Sequence, residues 1–203
     1  RAEGLTMDYG KTIALNGVDL HVPRGVYGLL GPNGAGKSTL NRIFTGLLKP
    51  TSGTARVAGF DCVSEIDEVR KRIAIIPQEF KLYPNLTPYE FLEYMLILSG
   101  RDLDGKRIMA QLEQVNLLAH ARQRIGSFSG GMKQRVAIAQ ALIHDPVVIF
   151  ADEPTAGLDP EERMRFRNIF SEIGLEKTVL LSTHITEDIS AATNMVYVLN
   201  RGN

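Results

Sequence analysis

The sequence predicts an α/β domain built around a largely parallel sheet, and three observations carry that reading. Strand-like and helical stretches alternate from Ile73 onward, an order that builds parallel sheets with helices on their faces. Val147–Ala151 and Thr178–Ser182 are unbroken apolar or β-branched runs, the composition of strands covered on both sides. Between a short apolar run and a helical stretch, Gly31–Thr39 reads Gly-Pro-Asn-Gly-Ala-Gly-Lys-Ser-Thr. It fits G-x-x-x-x-G-K-[ST] through Gly31, Gly36, Lys37 and Ser38.

The elements follow in chain order. Through about Val57 the chain has short alternating segments, Ile13–Leu15 and Val18–Val22 among them. Val26–Leu30 is a short buried strand that feeds the glycine-rich loop, and Leu40, Ile43, Phe44 and Leu47 recur at helical spacing behind it. Ile73–Ile76 is the next strand. Thr87-Pro88-Tyr89-Glu90 combines a capping residue, proline at the first helical position and Glu three residues after the cap. No strand-like run occurs from about Thr87 to Ser127. Residues 87–127 are therefore expected to form a helical subdomain inserted in a single domain whose core is 1–86 and 128–203. A helix of roughly Gly130–His144 follows Ser129. Asp159-Pro160-Glu161-Glu162 repeats the capping pattern, and its helix carries an apolar stripe of Phe166, Ile169, Phe170 and Ile173. Thr178–Ser182 and Met195–Leu199 complete the strands.

Composition narrows the class. The 203 residues suffice for one large domain with a core. Lys plus Arg and Asp plus Glu are both 23, and this zero net charge argues against a nucleic-acid partner. The single cysteine, Cys62, excludes an internal disulfide and a Cys-rich zinc site, and fits a reducing cytosolic setting. No apolar run approaches the ~18 residues of a membrane span, and no signal peptide is visible. The chain opens on Arg1 and stops just after a strand-like segment, the pattern expected of a piece trimmed at both ends.

The chemistry begins with the loop. Glycines let its backbone turn several N–H groups inward toward phosphate oxygens, and the helix starting near Gly36 adds a partial positive charge. Lys37 supplies a full charge for β- and γ-phosphates, and the Ser38 hydroxyl can ligate Mg²⁺. The strand Val147–Ala151 runs into Asp152 and Glu153, which places two carboxylates at the carboxyl edge of the sheet, where ligands of open α/β folds bind. Asp152 suits Mg²⁺, directly or through water, and Glu153 suits orienting or deprotonating an attacking water. Ser129-Gly130-Gly131 puts a hydroxyl and two glycines at a helix start, a second anion site.

The order of Gly31–Thr39, Gln78, Ser129-Gly130-Gly131, Asp152-Glu153, Asp159 and His184 resembles the nucleotide-binding domain of an ATP-binding cassette (ABC) transporter, over nearly the whole chain. Phe128-Ser129-Gly130-Gly131-Met132, about 20 residues before the acidic pair, is the most specific element. Wording around Gln78-Glu79-Phe80 and Ser127–Arg135 is similar to the ATPase subunits of bacterial ABC-2 exporters. The resemblance implies a phosphate-loop NTPase of the ABC type, with an N-terminal antiparallel β region and a helical subdomain, that binds ATP and Mg²⁺. It implies that Tyr9 stacks on adenine and that Gly31, Pro32, Asn33, Gly34, Ala35, Gly36, Lys37, Ser38 and Thr39 hold the phosphates. It further implies that Gln78 reaches Mg²⁺ and the water, and that His184 contacts the γ-phosphate. Glu153, His184 and Gln78 are then the catalytic set, and Ser38, Gln78 and Asp152 the metal set.

Ser129, Gly130, Gly131, Met132 and Asp159 would serve the nucleotide of a second cassette domain, most simply a second copy, arranged head to tail. An integral membrane subunit would complete the transporter, contacted by helical residues between about Phe80 and Ser99, with this chain at the cytoplasmic face of the membrane. The sequence departs from the common wording at two positions: Phe128 stands in place of Leu, and Met132 in place of Gln. A thioether is a weak acceptor, and Gln134, two residues on, points about 200° away. A soluble relative acting on DNA or ribosomes is the alternative. The coiled coils or zinc modules of the DNA-acting relatives do not fit in the 90 or so residues between Lys37 and Ser129, and the ribosome-acting relatives carry two cassettes. A small-molecule kinase would explain the loop but neither Ser129-Gly130-Gly131 nor His184.

Overall fold

The computed structural model of the chain describes residues 1–184 and 193–203. Along the chain run β1 (Ala2–Asp8), β2 (Ile13–Leu20), β3 (Gly25–Leu30), α1 (Lys37–Phe44), β4 (Ser52–Val57), β5 (Phe60–Asp61) and α2 (Ile66–Arg70). Then come β6 (Ile73–Ile76), α3 (Pro88–Leu98), α4 (Gly105–Gln114), α5 (Gly130–Leu142), β7 (Val148–Asp152), α6 (Pro160–Gly174), β8 (Thr178–Thr183) and β9 (Met195–Val198). Short 3-10 turns at Leu118–His120 and Ile125–Ser127 lie between α4 and α5.

Two sheets result. The first is antiparallel, with four strands in the order β2-β1-β4-β5. The second has five strands in the order β6-β7-β8-β3-β9, every pairing parallel. The parallel sheet is apolar on both faces because successive side chains on each strand point opposite ways. Ile149, Ala151, Val179 and Leu181 face a core shared with Phe166, Ile169, Phe170 and Ile173 of α6 and with α3, α4 and α5. Phe150, Leu180, Tyr27 and Leu29 face the other, shared with Leu40, Ile43 and Phe44 of α1 and with Leu5, Leu15, Ala55 and Val57 of the antiparallel sheet. Since β3, β6, β7 and β8 run in one direction, the segments following all four emerge at one edge. The glycine-rich loop, Gln78, Glu153 and His184 lie on those segments.

The caps work largely as their residue types dictate. Thr87 Oγ1 accepts the Glu90 N–H at 3.2 Å while the Glu90 carboxylate accepts the Thr87 N–H at 2.8 Å, a complete capping box. At α6, Asp159 Oδ1 accepts the Glu162 N–H at 2.8 Å, but the return bond is not made: the Glu162 carboxylate accepts from Arg165 at 2.7 Å instead.

Four sequence expectations need correction. Leu47 is not on the apolar stripe of α1; it is 67% exposed. The helix stops at Phe44 because Gly46, at φ +67°, closes a Schellman turn with Gly46 N–H on Ile43 O and Leu47 N–H on Arg42 O. Ile13–Leu15 and the first part of Val18–Val22 are not separate segments but one strand, β2, which passes through Gly17 at φ +66° and ends at Leu20, before His21 and Val22. The segment from Phe80 to Leu86 is not helical, and α3 begins only at Pro88. The helix after Ser129 ends at Leu142 rather than His144.

Candidate active site

The loop owes its shape to glycine at two crowded points. A Cβ on Gly36, which sits at φ +111° and caps α1, would lie 2.5 Å from Ala14 O; a Cβ on Gly31 would lie 2.4 Å from Leu199 O. Behind the loop packs the far end of the chain: Leu199 N–H bonds Leu30 O at 2.8 Å and Gly202 N–H bonds Ala35 O at 3.0 Å. Lys37 is buried, and its ammonium donates to the carbonyls of Gly31 at 2.5 Å and Pro32 at 3.2 Å. A cavity of about 190 Å³ lies over the loop, lined by residues from Pro32 to Thr39, by Ala14 of β2, and by Gln78, Asp152 and Glu153. Four sheet-edge segments predicted separately thus contribute three of their groups to one concavity.

Asp152 is the last residue of β7 and half-buried. Burial, and then the neighbouring Glu153 charge, push its carboxyl above the usual carboxylate range, against the pull of Lys37. A cation beside it would reverse that balance. Ser38, Gln78 and Asp152 offer a hydroxyl, an amide and a carboxylate oxygen to the same cavity, a donor set suited to a hard divalent cation such as Mg²⁺.

Glu153 is held harder than its sequence neighbourhood suggests. It is 8% exposed and adopts φ +47°, a left-handed conformation that costs a non-glycine residue of order 1–3 kcal/mol and persists only where its surroundings enforce it. Its N–H bonds Ser182 O at 2.8 Å, Thr183 Oγ1 donates to Oε2 at 3.1 Å, and His184 Nδ1 lies 2.7 Å from Oε1. The end of β8 therefore clamps the acid at the end of β7. The structure sets the exposed ring of His184, which the resemblance assigns to the γ-phosphate, on the Glu153 carboxylate that lines the cavity. Sequence reasoning missed Thr183 and Ser182. The available signal was that β7 and β8 are successive buried strands ending in polar residues, so that their ends meet if the strands pair.

The remaining predicted residues lie elsewhere. Tyr9 is an exposed side chain on the β1–β2 turn and does not line the phosphate cavity, although Ala14 of the same hairpin does. Ser129 caps α5, its Oγ accepting the Met132 N–H at 3.2 Å. Ser129 and Gly130 are exposed, and Gly131 is buried against Glu162, whose Oε2 lies 2.5 Å from where a Cβ would be. Asp159 is exposed at the start of α6. None of these residues lines the cavity over the loop. Phe128 is in the core and Met132 packs partly against it. Gln134 points inward, as its helical offset requires, and donates to Pro154 O at 2.7 Å, pinning the turn that follows Glu153.

Comparisons with known proteins agree with this geometry. The family described as ABC transporter matches residues 15–156. NatA, an ABC transporter ATP-binding protein of Bacillus subtilis, is 40% identical over 93% of this chain and 79% of its own length. The daunorubicin/doxorubicin resistance ATP-binding protein DrrA of Streptomyces peucetius is 40% identical over 98% of the chain, which spans 62% of that relative. ABC transporter A family member 8 of Dictyostelium discoideum is 41% identical over 93% of the chain, which spans 23% of it. Among solved structures, the ATP-binding cassette MJ0796, seen as a dimer bound to ADP and Pi, superposes with a TM-score of 0.81 at 30% identity, covering 99% of this chain and 94% of that one. CbiO1 from Clostridium perfringens, part of the ABC transporter complex cbiONQ, superposes with a TM-score of 0.88 at 29% identity over 99% and 84%. The family match spans more than half of the chain, and NatA is 40% identical over most of both lengths, so the chain belongs to the ABC transporter family of ATP-binding cassettes.

Proposed function

We propose that this chain is the ATP-hydrolysing subunit of an ABC transporter, in which two cassette domains, most simply two copies, sandwich ATP head to tail and move a separate membrane subunit. One observation carries the reading. The phosphate loop, Lys37, Ser38, Gln78, Asp152 and Glu153 share one cavity, whereas Ser129 and Asp159, at exposed helix starts, are outside it. An anion site built on α5 that its own nucleotide does not use is explained by a nucleotide brought by a partner. The dimeric state of MJ0796 supports the same arrangement.

In this reading the first turn of α1 and the loop N–H groups bind the β- and γ-phosphates. Lys37 moves from the Gly31 and Pro32 carbonyls to phosphate oxygens. Ser38, Gln78 and Asp152 would hold Mg²⁺, which would supply charge to neutralise the phosphates. Glu153 accepts a proton as water attacks the γ-phosphorus and the bond to the β-phosphate oxygen breaks. Thr183 and His184 keep its carboxylate in place during that transfer. Tyr9 stacks on the adenine from the β1–β2 turn. Ser129, Gly130 and Gly131 close on the γ-phosphate of the opposite copy, and Asp159 lies at that seam. Phe128 and Met132 pack inward, so main-chain and Ser129 contacts carry the site.

No helix among the described residues is long and apolar enough to cross a membrane; we assign the spanning part to a separate subunit. The stretch from about Phe80 to Ser99, with the Gln78 loop, is the face we assign to it. DrrA, named for drug resistance, and the Nod factor export ATP-binding protein I of Cupriavidus pinatubonensis favour an exporter, and we place the chain at the cytoplasmic face of its membrane. The test is Glu153→Gln in the full-length protein. Turnover should fall about 10²–10⁴-fold while an ATP-dependent dimer accumulates and a membrane subunit co-purifies from the native membrane. Full turnover, or co-purification with ribosomes or DNA, refutes the proposal.

A further inference from the structure

One polar side chain beside the site serves neither phosphate nor cation in the mechanism above. Asn41 lies on α1, three residues beyond Ser38 and about one turn along the same helix face. Its Nδ2 donates to Ser182 Oγ at 2.8 Å, a bond between residues 141 apart in sequence. Ser182 is fully buried in β8, opposite Asp152 of β7 on one side and Leu29 of β3 on the other. Its carbonyl accepts the Glu153 N–H at 2.8 Å, and the two residues after it, Thr183 and His184, hold the two oxygens of the Glu153 carboxylate. Asn41 thus connects the helix that binds phosphate to the strand that fixes the acid.

The bond has a cost that packing alone does not justify. Asn41 Oδ1 is buried with no hydrogen-bond partner among the described residues, and Asn is a poorer helix former than Leu, which has nearly the same size. The apolar packing of α1 is already supplied by Leu40, Ile43 and Phe44. We infer that Asn41 is a positioning residue. By holding Ser182, it fixes the height of Thr183, His184 and hence the Glu153 carboxylate relative to the phosphate-loop helix, so that phosphates seated on α1 meet an acid set for proton transfer. This rests on Glu153 being the proton acceptor.

The test compares Asn41→Leu, Ser182→Ala and the double variant in the full-length protein, each with and without Glu153→Gln. ATP turnover, ATP affinity and urea unfolding are measured. Asn41→Leu should lower kcat about tenfold, the equivalent of about 1.4 kcal/mol of barrier, with ATP Kd within twofold of the parent and stability equal or higher. Ser182→Ala should give the same loss, and the double variant no more than either, because both delete one contact. In the Glu153→Gln background neither change should alter the residual rate. If Asn41→Leu folds poorly, Ser182→Ala, which removes a single oxygen, carries the comparison. Undiminished kcat in Asn41→Leu alongside an inactive Glu153→Gln overturns this inference alone, as do multiplicative losses or a parallel fall in kcat and affinity. Full turnover in Glu153→Gln overturns the acid's role and this inference with it.

Discussion

Gly36→Ala isolates what the phosphate loop demands of its backbone. Gly36 sits at φ +111°, where an L-residue pays roughly 1–2 kcal/mol. Its Cβ would also lie 2.5 Å from Ala14 O, 3.0 Å from Leu15 Cδ2 and 3.1 Å from Leu199 Cδ2. The nearest of these is main chain in β2 and cannot swing aside, so overpacking adds another 1–3 kcal/mol or so. The expected loss is about 2–5 kcal/mol, or else a displaced loop. Gly34→Ala is the internal control: φ is +80°, but nothing lies within 4 Å of its Cβ, so only the conformational term of about 1–2 kcal/mol applies. Urea unfolding of the nucleotide-free protein, paired with ATP titration, reads both effects. Gly36→Ala should be the less stable by at least about 1 kcal/mol and should bind ATP at least tenfold more weakly than Gly34→Ala. Equal stability and equal affinity for the two would refute the steric argument.

Three further outcomes follow from other contacts. Gln134→Ala removes the donor on Pro154 O and leaves that buried carbonyl unpaired, so it should lower stability by about 1–3 kcal/mol in urea unfolding; an unchanged midpoint would mean the turn after Glu153 is held by other contacts. Thr87→Ala deletes the reciprocal cap of α3 and should cost about 1 kcal/mol, measured the same way. Asp152 takes up its proton at higher pH when folded than when unfolded, so the nucleotide-free fold carries a penalty above the raised value that disappears as pH falls through it toward the ordinary 3.8. Asp152→Asn should therefore be more stable than the parent at pH 7, with the advantage shrinking in acid. A variant no more stable at pH 7 would show that burial of this carboxyl is not costly.

How much of this was legible depended on whether the determinant was local. Ile73–Ile76 forms a strand over the same four residues as its apolar run, even though β6 is an edge strand and leaves Ile75 exposed, because the β-branched run is itself a local signal. The Thr87 capping box is written in four consecutive residues and formed as written. The phosphate loop combines a motif with its flanking strand and helix, and Val26–Leu30 is β3 but for Gly25. Elements set by short turns were harder. The two-residue β5 and the five-residue α2 have too few positions to show a period, and Gly46 ends α1 before an apolar residue that continued its spacing. Least legible were contacts spanning many residues. The clamp of Thr183 and His184 on Glu153 joins positions about 30 apart, and the Asn41–Ser182 bond joins positions 141 apart. Such pairs become visible only once the strand order β7-β8-β3 is known.

The seating of Leu199 and Gly202 behind the glycine-rich loop sets an order of assembly. Gly31 and Ala35 emerge early in translation, yet the carbonyl that crowds Gly31 and the amide that bonds Ala35 belong to the last five residues of this segment. A chain that stops before β9 can pair its earlier strands but lacks this backing, so the final shape of the loop waits on the residues that carry Leu199 and Gly202.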